Sequence, residues 1–115
     1  MSDLSIDKVE PVIQGFHSKI QEELNGSINA DDLTEALKHL MRAQFHSSQL
    51  RTYCQSCLAR ISLDKTNTTT PAVLVSLTKS ETLLSSQMSF CKGIFDDISN
   101  CCYLSNKLNY DTIFG

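Results

Sequence analysis

Two cysteines one helical turn apart, in Cys54-Gln-Ser-Cys57, are the residues of this chain best spaced for chemistry. In a thioredoxin-like site such a pair opens a helix behind a strand, and the helix dipole lowers one thiol pKa. Here the pair lies deep inside a helical pattern. Both sulfurs fall on positions that face other helices, where cysteine behaves as a small hydrophobe. Packing therefore outweighs a redox or metal role. A zinc site needs four ligands, each about 2.3 Å from the metal. Cys54 and Cys57 supply two, but the register expected below leaves Cys91 about 15 Å away along the hairpin, with Cys101 and Cys102 farther still and His46 and His39 two and four turns off. His17, His39 and His46 have no Ser, Cys or Asp partner at a recognisable spacing. Asp31-Asp32 reads as a helix start and Asp96-Asp97 as a solvated face rather than as acid/base pairs. No catalytic, cofactor-binding or metal-binding residue is assigned.

The elements that carry these residues are helical. Leu33, Ala36, Leu40, Ala43, Ser47, Leu50, Cys54, Cys57 and Ile61 alternate spacings of three and four, with no Pro or Gly between them, so they share one helix face. Asn29 is the expected N-cap, with Asp31 and Asp32 in the first turn. An earlier helix starts at Asp7, with Glu10 completing a capping-box-like pair, or at Glu10 with Pro11 in its first turn. Its stripe is Val9, Ile13, Phe16, Ile20 and Leu24, and Gly26 ends it. The segment DKTNTTT, 64–70, reads as a loop, and Pro71 as the first residue of a third helix. Leu74, Leu77, Leu84, Met88, Cys91, Phe95, Ile98 and Cys102 form its stripe, interrupted at Glu81. The expected helices cover about 8–25, 30–63 and 71–108 of a single domain, 1–115, with a fraying tail at 109–115.

Bulk composition narrows the function. A chain of 115 residues makes one domain. Its net charge is -3, and the charged fraction of 20% is mixed in sign without a basic cluster, which leaves nucleic-acid binding without an electrostatic footprint. No Lys/Arg-rich polar face favours a membrane surface, and no apolar run approaches the roughly 20 residues of a membrane span. The N-terminal stretch MSDLSIDKVEPVIQG has neither a basic nor an unbroken apolar segment, so no secretory signal is expected and the five cysteines are expected to be reduced.

Short connections make neighbouring helices antiparallel. Folding about the TNTTT loop puts Cys54 near Glu81 and Cys91 near Gln44, while the short first helix, about 18 residues long, reaches only from about Asp31 to about His46. Apolar surface then stays bare at the loop end of the hairpin, on Leu50, Tyr53, Cys54, Cys57, Leu58, Ile61, Leu74, Leu77 and Leu84. Monomers rarely expose such a patch, so these nine residues are the expected partner-binding surface.

Two segments resemble the caffeine-induced death protein 2 family, small coiled-coil proteins of the mitochondrial intermembrane space. The first is Val12, Phe16, Lys19 and Ile20 leading into Glu23-Leu24-Asn25; the second is Leu40-Met41 and Ala43 leading to Cys54. The resemblance implies a helical fold in that compartment and brings no site residue with it. Cys91 and Cys101, nine residues apart, also resemble one half of the cysteine pattern of helical hairpins oxidised there.

The sequence thus predicts an all-α, elongated antiparallel three-helix bundle, a coiled-coil hairpin with a shorter N-terminal helix. Its expected role is a non-catalytic interaction subunit or adaptor without a cofactor. Its partner is a protein, either a second copy or a subunit of a hetero-complex, and neither nucleic acid nor membrane. The expected compartment is the cytoplasm or nucleus. The alternative is an oxidised helical hairpin of the intermembrane space.

Overall fold

The spacing of threes and fours becomes three helices in the computed structural model, which describes residues 4–114 and the side chains of residues 4–101. They are α1, Ile6–Ile28, α2, Leu33–Asn67, and α3, Pro71–Phe114, with no strand among the described residues. At 1.5 Å per residue α3 is about 66 Å long. That accounts for the long axis of a rod measuring 65 × 23 × 16 Å. α2 is the central element, packed along α1 on one side and α3 on the other, while α1 and α3 touch more sparingly.

The α2 seam is buried from Ala43 through Ser47, Leu50, Cys54 and Cys57 to Ile61, as its period requires. Leu77, Leu84, Cys91 and Ile98 answer it from α3, seven residues apart throughout, with Ser80 in the gap beside Glu81. Glu81 itself turns outward, and its carboxylate accepts from Lys65 Nζ at 3.3 Å. Val9, Ile13 and Ile20 bury the inner face of α1. Cys102, counted on the α3 stripe, lies outside the residues whose side chains are described.

Four local expectations change. α1 starts at Ile6 behind Ser5, whose carbonyl accepts from Lys8 N at 3.0 Å and Val9 N at 3.1 Å; Asp7 is a first-turn residue and not the cap. Pro11 sits inside the helix, where its missing N–H leaves the Asp7 carbonyl without its helical donor; both residues are exposed to water. Gly26 does not terminate α1. It stays within the helix, and the His39 ring packs so closely over it that a Cβ there would meet His39 Nδ1 at 2.6 Å. Asn29 caps the end of α1 instead, its N–H donating to Asn25 O at 3.1 Å, and Asp32 is the N-cap of α2, accepting from Glu35 N at 2.8 Å.

At the other turn, α2 continues through Asn67, so the loop shrinks to Thr68–Thr70. Thr70 O accepts from Leu74 N at 3.1 Å, and Pro71 opens α3 where the sequence puts it. α3 remains helical through Phe114, past Leu108 where the apolar period ends.

These small boundary shifts move the register. Ser47 Oγ donates to Cys91 O at 3.4 Å, so Cys91 lies against Ser47, one turn beyond the expected Gln44. Gln44 pairs with Ser99 instead, at 3.2 Å. The change for α1 is larger, because α1 ends later and α2 starts later than the sequence indicates. Glu23 meets His39, Phe16 meets Tyr53 at 6.2 Å between ring centroids, and Ser5, Ile6 and Asp7 share a cleft with Ala72, Val75, Ser76 and Lys79. α1 therefore sheathes the loop end of the hairpin rather than stopping near His46.

Candidate functional site

The nine residues expected to form a bare surface are mostly core. Leu50, Cys54, Cys57, Ile61, Leu77 and Leu84 are buried within the single chain, and Tyr53, Leu58 and Leu74 are half-buried. Their expected exposure is corrected by the reach of α1, whose Val9 and Ile13 close over that end. Glu81 and Lys65 finish the boundary between α2 and α3 there with an ion pair.

Large apolar side chains stand in water elsewhere. Met41 is 63% exposed, Phe45 60% and Phe95 48%. Met41 and Phe45 lie four residues apart and so share a face of α2. Gln44, between them in sequence, donates to Ser99, which lies one turn beyond Phe95 on α3. Phe95 thus stands one turn from the Gln44 to Ser99 clasp, while Met41 and Phe45 lie on the outer face of α2, off its buried stripe. The sequence reading counted Phe95 as core and overlooked Met41 and Phe45 as exposed groups. The available signal was two large apolar residues at off-seam positions, next to Leu40, Ala43 and Ser47.

The titratable groups tie helices together. His17 Nε2–H donates to Gln87 Oε1 at 2.5 Å, and its ring stacks on Phe90 with centroids 4.4 Å apart, which joins α1 to α3. His39 Nδ1–H donates to Glu23 Oε2 at 2.7 Å, joining α2 to α1. His46 lies 3.5 Å from Gln49 within its own helix. Each imidazole thus has an amide or carboxylate neighbour, and none stands beside a hydroxyl or thiol nucleophile among these contacts.

The cysteines gather more closely than the sequence predicts. Cys54, Cys57, Cys91 and Cys101 are free thiols, the first three buried and Cys101 exposed. Burial raises the Cys54 thiol to about 12, with Cys91 and then Cys57 as further causes. Cys91 is raised too, chiefly by burial, although the Ser47 hydroxyl and the Arg51 charge pull it partly back. Tyr53 is pushed to about 12 by burial and then by its hydrogen bond with Cys57. All three acids are held in their neutral forms, opposite to what a nucleophilic thiol needs. With Cys91 against Ser47, it lies two turns, roughly 10 Å, along the rod from Cys54 rather than the expected 15 Å. No three His, Cys, Asp or Glu side chains among the described residues are arranged to hold a metal ion.

Among the described residues, no helix is long and apolar enough to cross a membrane. No family model, curated protein or solved structure matches the chain.

Proposed function

We propose that this chain is a non-catalytic helical interaction subunit that takes a protein partner, another helix or a second copy, on the apolar side chains that α2 and α3 leave in water. The observation that carries this reading is the exposure of Met41 and Phe45 on one face of α2 and of Phe95 on α3. Water-exposed side chains of that size, on a protein whose inner stripes are already packed, favour association. The surface differs from the loop end expected from sequence because α1 already occupies that end. A catalytic reading lacks support: the histidines act as clasps between elements and the buried thiols are kept protonated. The same reading takes the cytoplasm or nucleus as the compartment and no cofactor.

Sedimentation equilibrium tests this directly. The wild type should run above monomer mass, or should carry a stoichiometric protein partner when isolated from its native source. Phe45→Glu with Phe95→Glu should run as a partner-free monomer with unchanged far-UV circular dichroism. A wild-type monomer with no stoichiometric partner, or association that survives both substitutions, would overturn the proposal.

A further inference from the structure

The outward face of α2 carries a second period, separate from the buried one. Met41, Phe45, Ser48, Thr52, Ser56, Ala59 and Leu63 are spaced by four, three, four, four, three and four residues, so they form one stripe along the helix. All seven are exposed. At about 100° per residue the stripe lies on the side of α2 opposite its buried residues, away from the packing against α1 and α3. It holds no charged side chain, although Arg42, Arg51 and Arg60 fall within the same span.

That spacing reads the same in both directions from Thr52. Two α2 helices laid antiparallel on these stripes, with a two-fold axis at Thr52, therefore set Phe45 of one copy against Ala59 of the other, Met41 against Leu63 and Ser48 against Ser56. A large ring meets a methyl group at each end. The small residues between let the two backbones approach. Thr52, on the axis, brings no unpaired hydroxyl, because its Oγ1 donates to Ser48 O at 3.1 Å within its own helix.

The charges at the border of the stripe match as well. Arg42 and Arg60 lie along the same edge, and the axis brings Arg42 of one copy near Arg60 of the other. Each already has a carboxylate of its own: Glu23 Oε2 is 4.0 Å from Arg42 Nη1, and Asp64 Oδ1 is 3.5 Å from Arg60 Nε. The axis thus places one ion pair beside another, and no bare charge meets its like.

We propose that a second copy of this chain covers the outer face of α2, in an antiparallel two-fold dimer centred on Thr52. The inference rests on the reading of Met41 and Phe45 as a protein-binding surface and narrows the partner to the chain itself. From Met41 to Leu63 the face is about 33 Å long and roughly 10 Å wide, so the two copies together bury on the order of 700 Å². Stable complexes start near about 1,200 Å². The dimer is therefore weak and exchanges with free monomer as the concentration changes.

Sedimentation velocity and cross-linking test this together. The wild type should shift from monomer toward dimer between about 10 µM and about 1 mM. Ala59→Glu changes an exposed residue, and it should stay monomeric over that range with unchanged circular dichroism. With Cys101 and Cys102 replaced by Ser, Thr52→Cys should give a covalent dimer on mild oxidation, because the axis brings the two new thiols together, whereas Ser86→Cys, exposed on α3, should not. Cross-linking no greater at position 52 than at position 86, a dimer that survives Ala59→Glu, or a wild type that stays monomeric throughout would overturn the dimer. If Ala59→Glu changes nothing while Phe45→Glu still releases a different protein, the dimer falls and the wider reading of this surface stands. A monomer that carries no stoichiometric partner sinks both.

Discussion

The large apolar residues of the hairpin fall in two settings, packed between helices or standing in water. At the loop end, α1 covers Cys57, Ile61, Leu77 and Leu84 with Val9 and Ile13. Near the α1–α2 turn α1 still runs alongside α2, Glu23 bonding His39, yet Met41 and Phe45 stay in water. The three-four spacing of α2 leaves Met41 and Phe45 off its buried stripe. What separates the two settings is the face each occupies, so the same residue types are core on one side of a helix and surface on the other.

The strongest way to break this comparison is a charge placed at matched sites. Leu77→Glu should unfold the chain, losing about 4 kcal/mol or more by burying an unpaired carboxylate, while Phe95→Glu should cost under about 1 kcal/mol. Thermal melts followed by circular dichroism decide it. Equal losses would mean that α1 does not protect the loop end.

Alkaline pH sharpens the same contrast, because the raised thiols sit in the covered core. Cys54 keeps its proton in the folded chain up to about 12, against an ordinary value of 9.0. Above pH 9 the unfolded chain releases that proton and the folded chain does not. Stability is therefore flat below 9 and falls as pH climbs toward 12. Between pH 8 and 11 the melting midpoint should drop on the order of 5 °C, and Cys54→Ala should flatten the slope.

Gly26→Ala tests the corner where α1 hands over to α2. Its Cβ would strike the His39 ring and loosen the bond to Glu23, for a net loss of about 1 kcal/mol despite the better helix propensity of alanine. The loss should vanish in a His39→Ala background. The smallest effect is a gain. Ser80 Oγ is buried with no hydrogen-bond partner among the described residues, so Ser80→Ala should raise stability by about 0.5 kcal/mol, read from urea midpoints.

The buried faces were legible without coordinates. Ala43, Ser47, Leu50, Cys54, Cys57 and Ile61 are the inner face because two periods of a helix fix which residues lie together, whatever packs against them. Pro71 likewise marks the start of α3, since proline fits a first turn and few other helical positions. The turns were less legible. Gly26 reads locally as a stop signal, and only the imidazole of His39, thirteen positions along the chain, explains why a helical glycine is needed there. Asn29 and Asp32 are both good caps by type, and a choice of three residues between them shifted α1 along α2 by about two turns.

The chain alone therefore settled that the protein is three amphipathic helices and which stripe of each faces inward, because hydrophobic periodicity is a property of neighbours along the backbone. Only the tertiary arrangement decided how those stripes slide against each other, and with that how far α1 reaches and which residues of α2 and α3 meet. Antiparallel register is set by where each turn begins and ends, and an error of one or two residues there is carried along the whole length of the rod.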